Sequence, residues 1–261
     1  MFDMHMHSRV SFDGKDTAWN MAQAAAQTGL THICFTDHMD YDPLQPDHNL
    51  AFDITIYNKE YEDLRIPGLT ILKGFEFGML EDNQQQLRAD IARREWDVVL
   101  GSVHFVDGLD VYFPPFWEGR TPYQTILRGM EQTLRCVQNH EDFDVLAHLT
   151  YLAKTFGNPE KKPILYKDYR EVVDEILKTL ADKGKGLEVN TSGVDACGAM
   201  LPDREYLRRF KELGGQIVTV GSDAHNGQRV GQYCREAAQM VQEIFGYVCT
   251  FAGRKPVFHT L

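Results

Sequence analysis

The run Asp3-Met4-His5-Met6-His7-Ser8 is short and largely apolar, and it carries two histidines one residue apart. In a β-strand, residues i and i+2 point to the same face. A strand here therefore projects His5 and His7 side by side. Neutral imidazoles in that arrangement can grip one metal ion. Alone, a His-x-His pair is a weak signal, because a strand can carry two histidines by chance. The positions of the other histidines and acids add the weight.

Working outward, the chain alternates short apolar runs with polar or amphipathic stretches. Strands are predicted at Phe2–His7, His32–Phe35, Leu69–Phe75, Val98–Val103, Val145–Ala147, Gly186–Val189 and Ile217–Val220. Helices are predicted at Thr17–Gln27, Asn83–Arg94, Tyr123–Asn139, Tyr166–Asp182, Arg204–Leu213 and Arg235–Phe245. Alternation of this kind reads as parallel βα units. In a chain of 261 residues it fits a closed or nearly closed β/α barrel better than a small open sheet, with a doubly wound sheet as the other reading. No repeat, low-complexity tract or linker divides the sequence, so residues 1–261 are expected to form one domain.

Each predicted strand ends on, or just before, candidate ligands: His5 and His7, Asp37 and His38, Glu76, His104, His148, Glu188 and Asn190, then Asp223 and His225. In a β/α barrel the C-terminal strand ends converge on one mouth, where active sites sit. Burying so many ionisable groups without partners is very costly, and a cluster of divalent cations removes that cost. His32 precedes its strand, at the opposite end of the barrel. His48, His140 and His259 fall in a loop, near a helix end and near the C-terminus. These four are expected to be exposed or incidental.

Composition narrows the class. Hydrophobic residues make up 43% and charged residues 25%, as in ordinary globular proteins. The net charge of −11 argues against a sequence-blind nucleic-acid binder. No apolar run reaches the length of a membrane span. The first residues lack the basic region and apolar core of a signal peptide, which makes the cytoplasm the expected location. Cys34, Cys136, Cys197, Cys234 and Cys249 are odd in number and show no C-x-x-C spacing, so they read as reduced thiols.

The segments Asp3–His7, Asp13, Thr36–His38, Glu76, Gly101–His104, His148 and Gly221–His225 together resemble the polymerase and histidinol phosphatase (PHP) family of metal-dependent phosphoesterases. Ser102–Asp107, Phe143–His148 and Leu187–Gly193 resemble its histidinol-phosphatase branch. The resemblance implies a distorted (β/α)7 barrel holding three divalent metals, of which zinc, manganese and iron suit mixed histidine and carboxylate ligands. It places His5, His7, Glu76 and Asp223 on the first metal. Glu76 bridges to a second, completed by His104 and His148, and Asp13, His38 and His225 hold the third. Asp37 and Asp3 fit better as outer partners than as ligands. The catalytic set acting through the metals is then His5, His7, Glu76, Asp223 and His225.

The implied reaction is hydrolysis of a small phosphomonoester by a water that the cations activate to hydroxide near neutral pH. L-Histidinol phosphate, from histidine biosynthesis, is the expected substrate. The sequence departs from the family where a phosphate-binding arginine is expected six residues after His148. That position is Lys154, which supplies charge but not a bidentate fork. Arg204 and Arg229 are candidates for a second cation. The Tyr112–Trp117 aromatic run is expected either to wall the pocket or to pack on the barrel, and His48 with the Asp40–Asp47 loop to form part of a lid. An amidohydrolase also begins with His-x-His and ends on an Asp ligand, and another phosphomonoester is a further alternative. Asp13, His38 and the Asp223-x-His225 pair favour a third metal and so the PHP reading. No nucleic-acid or membrane partner is expected, and the sequence does not speak to oligomeric state.

Overall fold

The computed structural model describes residues 1–45 and 47–261. Its order is β1 (Phe2–Met6), α1 (Ala18–Gln27), β2 (His32–Phe35), β3 (His38–Tyr41), β4 (Asn49–Ala51), α2 (Ile54–Tyr61), β5 (Thr70–Gly78) and α3 (Gln84–Ile91). Then come β6 (Val98–Ser102), β7 (Phe105–Val106), β8 (Leu109–Asp110), α4 (Pro114–Trp117), α5 (Pro122–Asn139), β9 (Val145–Leu146), α6 (Arg170–Asp182) and β10 (Gly186–Asn190). The chain ends with α7 (Gly193–Cys197), α8 (Arg204–Glu212), β11 (Val218–Gly221), α9 (Cys234–Phe245), β12 (Val248–Ala252) and β13 (Lys255–His259).

Among the described residues, seven parallel strands follow one another in the order β1-β2-β5-β6-β9-β10-β11. They coincide with the seven runs predicted from the sequence. The sheet nearly closes into a barrel. At the C-terminal rim, Met6 pairs with Ala224, and the Asp223 N–H donates to the His5 carbonyl at 2.8 Å. The helices cover the outside because each presents one apolar stripe. On α1 that stripe is Ala18, Met21, Ala22 and Ala25, all buried, and the Thr17 hydroxyl caps the helix by accepting the Asn20 N–H.

The barrel interior is packed by Met4, Cys34, Leu72, Val98, Leu100 and Val145, with Phe251 of the β12–β13 hairpin joining them. Arg254 of that hairpin pairs with Asp144, and its N–H donates to the Asp97 carbonyl, which ties the hairpin to residues that lead into β6 and β9. The β1–β2 register slips between Asp3 and Met6. Such a slip re-aims side chains locally: Met4 stays in the interior, while His5 and His7 still reach the mouth together.

The excursion between β2 and β5 was not predicted. Here β3 pairs with the end of β5 and β4 pairs antiparallel with β3, and α2 follows. Its N-cap is Asp53, whose carboxylate accepts the Thr55 N–H at 2.6 Å. The strand pattern was missed because His38–Tyr41 carries polar groups on a face that turns toward the site. Of the stretch expected to form part of a lid, Asp40 belongs to β3, and residue 46 lies outside the described residues. No helix among the described residues is long and apolar enough to cross a membrane.

Candidate metal centre

The strand ends and the loop after β1 bring nine candidate ligands together, and seven of them, all but the fully buried His5 and His7, line one cavity of about 410 Å³ at the barrel mouth. His5 lies in β1 and His7 just after it, His38 in β3, Glu76 in β5, and His104 and His148 follow β6 and β9. Asp223 and His225 follow β11, and Asp13 lies in the loop after β1. Glu76 is central. Its Oε2 is 3.4 Å from His5 Nε2, 3.5 Å from His7 Nε2 and 3.1 Å from His38 Nδ1. Its Oε1 is 2.6 Å from His148 Nε2 and 3.5 Å from His104 Nε2. Asp223 Oδ1 is 3.3 Å from His7 Nε2. Asp13 Oδ2 is 3.0 Å from His225 Nε2 and 3.6 Å from His38 Nε2.

Outer partners set which imidazole nitrogen faces the cluster. Glu188 Oε1 accepts from His5 Nδ1 at 2.7 Å, which leaves Nε2 to face Glu76 and His7. Glu188 Oε2 also accepts the His148 backbone N–H at 2.9 Å. Asp40 Oδ1 accepts from His104 Nδ1 at 2.9 Å. The sequence placed Glu188 at its strand without a role, and it gave Asp40 none at this centre. The available signal for Asp40 was its spacing two residues after His38, which puts both on one strand face. Backbone strain marks two of the nine: His148 and Asp223 have φ of 24° and 55°, in the left-handed region that non-glycine residues rarely adopt.

The electrostatics follow from burial and from which charges each group faces. Burial pulls His5 down, but Glu188, Glu76 and Asp223 outweigh it and hold the imidazole well above its usual range. Burial likewise opposes His104, yet Asp40 and Glu76 raise it to about 10. Glu76 and Asp223 resist burial in turn, held well below the carboxylate range by His5 and other histidines around Glu76, and by Lys154 and His5 at Asp223. His7 moves the other way: burial and the neighbouring His225 and His38 charges push it down to about 3. Without a metal, protons on the histidines supply positive charge that the carboxylates require.

The residues fit divalent cations. Among the described residues, Asp13 Oδ1, His38 Nδ1 and Glu76 Oε2 are buried at this centre without a hydrogen bond of good geometry, although His38 Nδ1 lies 3.0 Å from Asp40 Oδ2 and 3.1 Å from Glu76 Oε2. His5 Nε2 and His7 Nε2 also face each other at 3.0 Å, and where both rings carry their proton on Nδ1 two lone pairs meet there, an arrangement that a cation relieves. Three-residue groups whose ligand atoms can meet one ion include His5, His7 and Asp223; His5, Glu76 and His148; and His7, His38 and His225.

Of the expected phosphate cations, Lys154 is at the site, with Nζ 2.6 Å from both Asp223 Oδ2 and Ser192 Oγ. Arg229 borders an adjoining recess shared with Lys154, Ser192 and His225, and its Nη1 lies 3.3 Å from Asp195 Oδ2. Arg204 is corrected: it pairs with Glu243 at 2.6 Å, between α8 and α9, and lines neither recess. The aromatic run divides. Tyr112 and Phe113 wall the cavity, and Phe116 and Trp117 are core. His140 is also corrected. It is fully buried, with its ring nitrogens 2.9 Å from the Cys136 carbonyl and from Asn83 Oδ1, and so it is a structural residue.

The PHP domain model matches residues 3–192. This chain belongs to the PHP family. The match stops short of β11, so Asp223 and His225 of the PHP centre come from beyond it. The chain is 31% identical to a probable histidinol-phosphatase of Clostridium acetobutylicum over 99% of its own length and 96% of that protein. It is 29% identical to the histidinol-phosphatase of Lactococcus lactis, covering 97% and 95% of the two chains. It is also similar to the crystal structure of the Lactococcus lactis histidinol phosphate phosphatase complexed with zinc, L-histidinol and phosphate. There the TM-score is 0.83 and the identity 26%, over 98% of both chains.

Proposed function

We infer that this protein is a metal-dependent phosphomonoesterase that hydrolyses L-histidinol phosphate to L-histidinol and phosphate. The observation that carries the reading is the similarity, over nearly the whole of both chains, to a histidinol phosphate phosphatase solved with zinc, L-histidinol and phosphate. The PHP centre supports it with buried ligand atoms that lack a hydrogen bond of good geometry. We assign three divalent ions to it, of zinc, manganese or iron. His5, His7, Glu76 and Asp223 hold the first, Glu76, His104 and His148 the second, and Asp13, His38 and His225 the third. When bound, such ions neutralise phosphoryl oxygens and activate a water for in-line attack on phosphorus.

The rest is done by the chain itself. Glu188 and Asp40 hold His5 and His104 with their Nε2 atoms toward the cluster. Lys154, braced by Asp223 and Ser192, offers its ammonium to the phosphate group as a point charge. Arg229 stands beside it as a second cation, at the edge of the recess. Tyr112, Phe113 and Phe12 provide apolar walls on which an imidazole ring can lie, and Asp110 gives the amino end an acidic neighbour. The whole chain acts as one domain, because Asp223 and His225 complete a centre begun by His5 and His7. A place in histidine biosynthesis goes with a cytoplasmic location.

The test is phosphate release from L-histidinol phosphate beside a panel of other phosphomonoesters, after loading with zinc, manganese or iron. Strong preference for L-histidinol phosphate is the expected result. Metal-dependent turnover of other esters alone would keep the chemistry and overturn the substrate.

A further inference from the structure

Joined to the metal centre at His7, and lining no part of the cavity, is a buried polar chain that ends on α2, an element with none of the nine ligands. Asp37, fully buried between β2 and β3, sits at its middle. Asp37 Oδ1 accepts the Ser8 N–H at 2.8 Å and the Ser11 hydroxyl at 3.1 Å. Asp37 Oδ2 accepts the hydroxyl of Tyr61, the last residue of α2. That hydroxyl also lies 2.7 Å from Ser8 Oγ. The Tyr61 ring is fully buried against Phe35 and Tyr57, with centroids 4.8 and 4.3 Å away, so the phenol has little freedom to move.

Proton counting along this chain has a consequence at the metals. A carboxylate only accepts, and a serine hydroxyl has one proton and two lone pairs. With its proton given to Asp37, Ser11 Oγ can only accept from its other neighbours. One is the His38 backbone N–H at 2.9 Å. The other is His7 Nδ1 at 3.3 Å, which must then carry the proton. His7 is left with a bare Nε2, the atom 3.3 Å from Asp223 Oδ1 and 3.5 Å from Glu76 Oε2. A metal-ligating histidine is oriented by what its other nitrogen meets.

We propose that Tyr61 is a positioning residue for the metal centre: by fixing Asp37 it commits the Ser11 proton, and so holds His7 in the tautomer that presents Nε2 to the metals. It also steadies β3 at His38 through the same serine. The inference rests on the metal-dependent reading above. It assigns Tyr61, 53 residues from Ser8 in sequence, to a centre whose motifs do not include it.

The experiment measures zinc affinity by chelator competition, and zinc content, in the whole protein and three variants. Tyr61→Phe keeps the packed ring and removes the hydroxyl. Tyr57→Phe is the control. It removes an equally buried hydroxyl from the same helix, bonded at 3.0 Å to the Gly74 carbonyl rather than to this chain. Ser11→Ala cuts the link at its other end and serves if the helix variant folds poorly. Tyr61→Phe and Ser11→Ala are expected to weaken zinc binding on the order of 10- to 100-fold, the usual effect of losing an outer partner. Tyr57→Phe is expected to lower Tm and leave zinc affinity alone. The double variant Tyr61→Phe/Ser11→Ala should lose little more than Ser11→Ala, because both act through one chain. Zinc affinity in Tyr61→Phe no weaker than in Tyr57→Phe would overturn the inference. A wild-type protein that holds no zinc, manganese or iron would overturn the proposed function itself.

Discussion

Replacing Lys154 with methionine keeps most of the side-chain volume and removes its charge. Lys154 is largely buried, with 16% of its side chain exposed, and its Nζ holds two contacts of 2.6 Å. An ammonium so shielded meets a phosphate oxygen through a charged hydrogen bond, worth about 1.5–3 kcal/mol. If that contact forms with substrate and persists in the transition state, its loss lowers kcat/KM roughly 10- to 150-fold. The assay is steady-state phosphate release from L-histidinol phosphate with the metals at saturation. Inhibition by inorganic phosphate is expected to weaken by a similar factor, while inhibition by L-histidinol is expected to stay within about twofold, because that product has no phosphate for Lys154 to meet. Lys154→Arg restores charge and a fork and should recover most of the loss. Unchanged kcat/KM together with unchanged phosphate inhibition in Lys154→Met would refute the assignment, and would mean that Lys154 serves only as the partner of Asp223.

Chelation exposes the proton requirement of the centre. His5 and His104 are raised in the folded protein, His104 to about 10, so the metal-free fold binds more protons there than the unfolded chain does above about pH 6.5. Stability from these histidines is fully present below that pH and is lost as pH rises through the folded values. Tm of the chelated protein should therefore fall between about pH 6.5 and 10, with a smaller fall for the zinc-loaded protein; equal slopes would sink the idea. Gly221→Ala places a Cβ 2.3 Å from His5 Cβ and 2.4 Å from Glu188 Oε1. It should lower zinc content and activity together, as read by metal analysis, and full zinc content would contradict it. His140→Ala removes two buried contacts of 2.9 Å, so it should cost about 2 kcal/mol or more in urea unfolding while the folded fraction keeps its kcat. His148→Ala should do the reverse, losing turnover by orders of magnitude with the fold retained. Equal loss of turnover in both would undermine the site.

Much of this protein is determined by local pattern. Seven runs of strand-forming residues carry the barrel, and the His, Asp and Glu residues at or just after most of their ends supply most of the candidate ligands, because parallel strands bring their C-terminal ends to one mouth whatever the helices between them contain. That is why His5 and Asp223, 218 residues apart in the sequence, could be read as neighbours. Asp40, Tyr61 and the placement of Arg204 and His140 could not be read so. Asp40 and Tyr61 belong to the excursion between β2 and β5, whose strands are short and polar, and a carboxylate or phenol in such a stretch looks like any surface group. Arg204 and His140 were ambiguous for the same reason. A charged or polar side chain takes its role from what packs against it, and only the folded chain sets Glu243 beside Arg204, or closes Asn83 and the Cys136 carbonyl around His140. The periodic backbone pattern, and with it the placing of candidate ligands at one mouth, was determined by the sequence alone. Which nitrogen His5, His104 and His7 turn to the centre was decided by tertiary structure, because it depends on Glu188, Asp40 and Asp37 arriving from elsewhere in the fold.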